Sequence, residues 1–236
     1  MFKNNLLLIV LHRSFRMKII KIYLKAALLI LSLSVSNVFA GDFPTVRVNQ
    51  DKRCFTSPVI ENVISDMQKS IKDPELSWMF GNCYPNTLDR TVTFSMKNGK
   101  PDTFVITGDI FAMWLRDCSA QVWPYMPYMK DDSSLKQLIA GVINRQVACI
   151  LIDPYANAFN KDKEGSYWMT DITEMKPELH ERKWEVDGLC YVIRLGYHYW
   201  KLTGDNSVFD AQWQDAMKLI VRTFKEQQRK NNDGPY

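Results

Sequence analysis

Histidine is scarce in this chain: three occur in 236 residues, and one of them, His12, falls within the first forty. Zinc sites draw mostly on His and Cys, and the five cysteines (Cys54, Cys83, Cys118, Cys149 and Cys190) show no CxxC or Cys/His spacing. Metal-dependent hydrolysis is thereby disfavoured, and neither a metal ligand nor a cofactor is expected. The odd cysteine count cannot close a complete disulfide framework, so buried free thiols are the simpler expectation for most of them. Also missing are glycine-rich phosphate loops, a GxSxG elbow and an HExxH helix. There is no low-complexity tract and no strict repeat.

A large charge of one sign is lacking too. The formal net charge is +4, but six of the 30 basic residues (Lys3, Arg13, Arg16, Lys18, Lys21 and Lys25) lie in the first forty, with no acidic residue there. The remainder carries 24 basic against 26 acidic residues, a net of −2. Nothing in that balance supports a nucleic-acid partner. The leader itself reads as an export signal: a basic stretch from Lys18 to Lys25, an apolar run from Ala26 to Val35, then Val38-Phe39-Ala40 ahead of Gly41. The apolar run is too short for a permanent span, so no stable membrane anchor is expected after cleavage. Met17 stands just before this pattern, which marks residues 1–16 as an extension from a misassigned start. Residues 1–40 are thus expected to be a signal peptide, and the protein to be exported, periplasmic or secreted.

What is present is ordinary globular material, 46% hydrophobic and 24% charged, with seven Trp and ten Tyr that can serve as core or as stacking platforms. Ser57-Pro58 predicts a helix start, followed by Val59, Val63, Met67 and Ile71 at helical spacing with Ile60 and Ile64 beside them. A second helix is expected over 74–86. Alternation from Thr91 to Met96, Asn98-Gly99, and the run Thr103 to Thr107 predict a β-hairpin near residues 91–107. Beyond it helices are expected at about 112–128, 133–151, 181–203 and 206–230, with a long loop over 152–180. Leu135, Leu138, Ile139, Val142, Ile143, Val147 and Ile150 give the second of these a broad apolar face. The expected class is mainly α, an α/α array or toroid with working loops at one end. The polar run Arg229 to Tyr236 reads as a connection to more chain, so residues 41–236 are expected to be the N-terminal part of a larger domain.

Three segments can carry chemistry. In Thr107 to Gln121, Gly108-Asp109 predicts a turn and helix cap, placing Trp114, Arg116 and Asp117 early in a helix. These three suit a sugar cradle: Asp accepts from hydroxyls, Arg donates, and Trp stacks on the apolar sugar face. An exposed ion pair is the plainer alternative. In Asp153 to Asn160, Asn157 and Asn160 offer amides for hydroxyl recognition, and Tyr155 and Phe159 can wall a pocket; an Asx-bonded turn is the alternative. In Glu181 to Cys190, Glu185 and Asp187 are two apart and diverge if both are helical, one facing a pocket and the other capping or pairing with Arg182.

Taken in order, Val105 to Ile110, Ala112 to Asp117, Ile143 to Val147, Ile152 to Asn160, Glu181 to Asp187 and Leu189 to Tyr191 resemble glycoside hydrolase family 125, the metal-independent exo-α-1,6-mannosidases. The likeness runs from about residue 60 to 230. It implies part of an (α/α)6 barrel and an exo-acting hydrolase that removes terminal α-1,6-linked mannose from glycans by a metal-independent inverting mechanism, with two carboxyl groups about 6.5–9.5 Å apart as acid and base. It implies that Arg116 and Asp117 hold the terminal mannose with Trp114 beside them; Asn157, Asn160 and Asp187 are expected to join them in binding substrate. It also implies that the general acid and base lie beyond Tyr236, leaving this chain without a catalytic residue. The family commonly has Pro where this chain has Phe111, Ser where it has Cys118, and Ser and Pro where it has Gly188 and Val192, which bears on fine specificity. Two other readings stand beside it: an (α/α)6 carbohydrase of different linkage preference, and a non-catalytic glycan-binding helical protein.

Overall fold

The computed structural model describes residues 43–234; the expected leader lies outside the described residues. The chain divides at Pro44, and the fold belongs to the unit that begins at Thr45.

Helix α1, Pro58–Ser70, starts where the sequence places it, with the Ser57 hydroxyl accepting from the Ile60 N–H at 3.2 Å. The same hydroxyl donates to Asp132 at 2.6 Å, and Asp132 caps helix α4, Ser133–Ile152, by accepting from Ser134 and Leu135 N–H. Two helix starts are therefore tied together, each cap contributing about 1 kcal/mol. The buried edge of α1 is Ile60 and Ile64, while Met67 is 40% exposed. The expected Val59–Val63–Met67–Ile71 stripe is thus one residue out of register with the face that meets the core. Helix α2, Pro74–Cys83, is capped by Asp73 and stops short of Asn86. A wide π turn, Thr87–Thr91, then buries Leu88 and Asp89 and leads into the hairpin.

The hairpin joins β1, Val92–Lys97, to β2, Lys100–Val105, with Val92 opposite Val105 and Lys97 opposite Lys100. Asn98 (φ 53°) and Gly99 (φ 76°) both take left-handed backbone, as a two-residue type I′ turn demands. Four successive β2 residues, Asp102 to Val105, are buried because α4 crosses the strand closely. A Cβ on Gly141 would sit 2.3 Å from Thr103 Oγ1 and 2.9 Å from Thr103 N. Thr103 donates to Leu138 O at 2.8 Å, Asn144 donates to Pro101 O at 2.8 Å, and Arg145 pairs with Asp102.

The expected 112–128 helix is shorter. Met113–Trp114 forms strand β3, helix α3 covers only Leu115–Val122, and 3-10 turns run from Trp123 to Tyr128. Pairing of β3 with β4, Ala158–Phe159, holds the front of the segment extended. At its rear Pro124 and Pro127 have no N–H with which to continue an α-helix. Strand β5, Leu179–Glu181, pairs with β4 and delays helix α5 to Val186–Thr203 instead of 181. Gly204, at φ 70°, closes α5 as a left-handed cap. Helix α6, Ala211–Gln227, begins at its Asp210 cap, later than the expected 206.

The architecture is mainly helical, with a two-stranded antiparallel hairpin and a three-stranded antiparallel sheet in the order β3-β4-β5. One apolar cluster fills the space among α1, the hairpin, α4 and the C-terminal half of α5, including Ile60, Phe104, Leu138, Leu195 and Tyr199. A second joins Leu115, Val147, Ile150, Phe159, Leu189, Val192 and Ile220. All seven residues expected on the apolar face of α4 are buried. By length and composition α4 could cross a membrane, but here it is the core helix against which the rest packs. The five cysteines are free thiols, Cys118 and Cys149 buried and the other three exposed. Burial pushes the Cys149 thiol up to about 12.

Candidate functional site

The short sheet brings two helix N-termini together. Strand β3 runs directly into α3, and strand β5 leads within five residues into α5, which packs on α3. Trp114 is the residue before α3, in extended conformation (φ −81°, ψ 138°), not a helical residue, and Gly108-Asp109 is a turn rather than the helix cap. Without a side-chain cap, α3 gains support from Asn157, whose carbonyl accepts from Leu115 N–H at 3.1 Å. Asp117 lies in the first turn of α3 and Asp187 in the first turn of α5, where the helix dipole favours negative charge.

Arg116 is the hub of this corner. Its Nη1 donates to Glu185 at 3.1 Å and to Asp187 at 3.1 and 3.3 Å, and its Nε lies 3.6 Å from Asp117. The expected divergence of Glu185 and Asp187 does not occur, because Glu185 is not helical. It precedes α5 with φ −121° and ψ 115°, which turns its side chain towards the same guanidinium that Asp187 reaches. The hydrogen bond to Asp187, followed by the charges of Glu185, Asp187 and Asp117, raises the Arg116 pKa against the opposing effect of burial. Arg182, the other expected partner, is instead buried against Asp153 at 2.9 Å. All four groups keep contact with solvent, Arg116 at 36%, Asp117 and Glu185 at 33% and Asp187 at 45%. Asp117 Oδ2 is shielded yet makes no hydrogen bond, and one turn along the same face so is Gln121 Oε1. Thr107 Oγ1 is a third such atom, next in sequence to Ile106, whose carbonyl takes the Gln121 amide at 3.1 Å.

Asn157 and Asn160, expected to meet hydroxyls, are both buried and bonded within the protein. Asn157 donates to Glu181 at 2.7 Å and accepts from Lys183 N–H at 3.0 Å. Asn160 Nδ2 lies 2.8, 3.0 and 3.1 Å from the carbonyls of Gly165, Pro177 and Leu179, closing the base of the 161–178 excursion. Each amide therefore shapes the loop instead of projecting from it. Asp153 does form the Asx turn, accepting from Tyr155 N–H at 2.9 Å. Tyr155 and Phe159 are both buried, and the Tyr155 hydroxyl donates to Glu226 at 2.7 Å.

Three residues beside the site, His180, Glu181 and Gln146, escaped the sequence reading. His180 packs edge-on against Trp114, ring centroids 5.4 Å apart, and burial lowers its pKa. Beside it, hydrogen bonds from Lys183 and Asn157 hold the Glu181 carboxyl below its usual range, although burial, the largest effect, pushes it up. Glu185 and Asp187, of which the sequence gives one to a pocket and the other to a cap or to Arg182, both meet Arg116 instead. Gln146, fully buried on α4, places its Nε2 2.7 Å from Ser119 Oγ, 2.9 Å from Leu115 O and 3.1 Å from Cys118 Sγ, fixing the first turn of α3 that carries Arg116 and Asp117. A signal for Gln146 existed: it is an uncharged polar residue set in the apolar face of α4. Among the described residues no group of His, Cys, Asp or Glu is arranged to hold a metal ion. The positive charge amid the three carboxylates is the guanidinium itself.

Comparison with known proteins places this corner in context. The family model described as metal-independent alpha-mannosidase (GH125) matches residues 73–235. The meiotically up-regulated gene 157 protein of Schizosaccharomyces pombe is 37% identical over 184 residues, 74% of this chain and 36% of that protein. A solved Streptococcus pneumoniae structure, from work on metal-independent alpha mannosidases and the processing of N-linked glycans, is a non-productive substrate complex with alpha-1,6-mannobiose. It superposes with a TM-score of 0.69 at 41% identity, covering 75% of this chain and 42% of that one. The chain thus spans about two fifths of the length of the relatives it matches. With the family model covering more than half of its residues, the chain belongs to glycoside hydrolase family 125.

Proposed function

We propose that this chain supplies the mannose-holding part of an exo-acting α-mannosidase that removes terminal α-1,6-linked mannose from glycans by a metal-independent, inverting single displacement. The observation that carries the reading is the Arg116 corner: a guanidinium among Asp117, Glu185 and Asp187, with Trp114 alongside, in a chain of this family. The Asp117 side chain keeps a third of its surface open to solvent, which leaves room for its carboxylate to accept from a sugar hydroxyl. Trp114 offers the flat apolar surface, and His180 and Gln146 fix its surroundings.

The catalytic acid and base are proposed to come from outside these 236 residues. A general acid needs an apolar enclosure that keeps its carboxyl protonated near neutral pH. Asp117, Glu185 and Asp187 instead share one arginine and are each a third or more exposed. The helices are read in the same way as part of an (α/α)6 barrel. In support, α5 presents Val186, Cys190, Ile193, Tyr197 and Trp200 to solvent at alternating spacings of four and three, the pattern that another helix covers. Export through the 1–40 leader, giving a mature protein from Gly41, completes the proposal.

The test is hydrolysis of α-1,6-mannobiose in the presence of a chelator, with the anomer of the released mannose followed by NMR. The protein carrying the full family domain is expected to release β-mannose first, and the 236-residue chain to bind mannose without turnover. Turnover by the 236-residue chain would place the acid and base within it. Loss of activity on chelation, or α-mannose as first product, would overturn the mechanism.

A further inference from the structure

The tip of the hairpin carries a charge arrangement that its own strands do not favour. Lys97 and Lys100 flank the Asn98-Gly99 turn and face each other as the last cross-strand pair, and like charges directly opposite one another destabilise a ladder. Lys100 has a partner in Asp210, the residue that caps α6. Lys97 is exposed and forms no ion pair among the described residues.

Both lysines line a cavity of about 390 Å³ between the hairpin tip, α4 and the first turn of α6, together with Arg145 and the amide side chains of Asn98, Asn144 and Gln212. The carboxylate on its wall, Asp102, is buried and already paired with Arg145. Set against Asp102 and Asp210, the three cations leave one positive charge over, and it falls on Lys97. Donors outnumber their partners as well. Arg145 directs Nη2 to Asp102 and Nη1 to Lys161 O at 3.2 Å, with the guanidinium 5.6 Å from the centre of the Phe104 ring. Asn144 Nδ2 donates to Pro101 O at 2.8 Å, which leaves the amide a second hydrogen to give. Burial raises the Cys149 thiol while the charges of Arg145 and Lys97 oppose that rise, so both cations are felt at the same turn of α4.

A neutral sugar has little to offer three cations. A phosphate group has about −1.5 to −2 charge near neutral pH and strong acceptor oxygens, which can bridge two ammonium groups and take an amide N–H together. We propose that this cavity is a phosphate site, in which Lys97 and Lys100 clasp the anion from the two strands and Arg145 supplies a fixed charge behind them. Binding offsets the repulsion between the two lysines, so the ligand also steadies the hairpin tip. The same chemistry serves free phosphate and a phosphate ester on a larger molecule. It does not depend on the mannose reading of the Arg116 corner, none of whose residues lines this cavity.

The experiment is a phosphorus NMR titration of inorganic phosphate and of glycerol phosphate with the 236-residue chain, at constant ionic strength set by sodium chloride. Wild type is expected to broaden both signals saturably. Lys97→Gln is expected to weaken binding about fivefold, and Lys97→Glu to remove it. Lys69→Gln, an exposed lysine on α1, serves as control and is expected to bind as wild type does. Lys97 is exposed and faces a like charge, so the melting curves of its variants without phosphate are expected to match wild type or rise slightly. Tighter binding of the ester assigns the site to phosphate on a larger molecule; binding of inorganic phosphate as tightly or more so assigns it to the free anion. Absence of saturable broadening by either probe overturns the site. So does wild-type affinity in Lys97→Glu, or a loss in Lys69→Gln equal to that in Lys97→Gln, which would reduce the effect to general surface charge.

Discussion

Two arginine clusters in this molecule look alike on paper and differ in how deeply the arginine and its partner aspartate are buried. Arg47 reaches Glu61 at 2.5 Å and Asp89 at 2.6 Å; its side chain is 13% exposed, Asp89 only 3%, and Arg53 adds a second cation to the same carboxylates. It clamps the lead-in segment onto α1 and the π turn. Both carboxylates raise its pKa, outweighing burial, the largest single effect. Arg116 also gathers carboxylates, but at 36% exposure, with distances of 3.1 to 3.6 Å and with an acceptor atom of Asp117 left unfilled. A cluster built around a buried aspartate does structural work. An open one with spare hydrogen-bonding capacity at two helix N-termini is where a polar ligand fits.

The comparison breaks first at Arg47. Arg47→Met leaves Asp89 buried among fewer cations, and removing one partner of a buried pair costs about 3–5 kcal/mol; Arg53, 3.7 Å from Asp89, places the expected loss towards the lower end. Denaturant unfolding measures it, and a loss below about 1 kcal/mol, the worth of an exposed pair, would make the clamp no different from a surface ion pair. Next comes Gly141→Ala, where α4 crosses β2. The added methyl meets Thr103 backbone at 2.9 Å, so α4 must move off β2, at a cost of about 1–3 kcal/mol. A variant as stable as wild type would mean that the helix and hairpin are not rigidly packed.

Acid titration gives a smaller and graded effect. The hydrogen bond from Lys136 is the largest of several that hold Asp205 far below the usual carboxylate range, and Arg47 is the main cause of the lowered Glu61. A carboxyl depressed on folding adds stability that is complete above its unfolded pKa, about 4, and is lost as pH falls towards the folded value. Stability is therefore expected to decline below about pH 4, and Asp205→Asn to flatten that decline. An unchanged acid limb in Asp205→Asn would assign the loss to other carboxylates.

The sequence legibly carried what rests on local chemistry. Ser57-Pro58 starts a helix, Asn98-Gly99 turns a hairpin, and the α4 apolar face is buried throughout. It failed where distant pairing overrides local preference. Met113–Trp114 and Glu181 look like helix starts and Leu179 like loop, but all are taken up by pairing with β4, and a three-stranded sheet of such short strands has no periodicity to read. That error hid the key geometry, because an extended Glu185 converges with Asp187 while a helical one does not. Asn157 and Asn160 have the right chemistry for sugar, yet both amides are taken up by partners up to 26 residues away, Asn157 by Glu181 and Lys183 and Asn160 by three backbone carbonyls. Exposure of Tyr167 is equally illegible, since its sequence neighbours are as aromatic as those of a core residue.

Arg116→Ala gives the smallest expected change in unfolding free energy and the sharpest contrast. Its partners are a third or more exposed, and pairs of that kind contribute about 0–1 kcal/mol. The variant also leaves three carboxylates facing one another, but water screens them, so the melting curve is expected to move little. Mannose affinity is another matter. Truncating one partner of a hydrogen-bonded charge cluster at a binding site costs about 2–5 kcal/mol of binding, and Arg116→Lys restores charge without the planar guanidinium that puts Nη1 on Glu185 and Asp187 and Nε near Asp117. The expected result is thus a folded protein that no longer binds mannose measurably, with Lys recovering part of the loss. If Arg116→Ala instead unfolds the chain as Arg47→Met does, the corner is a second clamp, and exposure ceases to distinguish the two arginines.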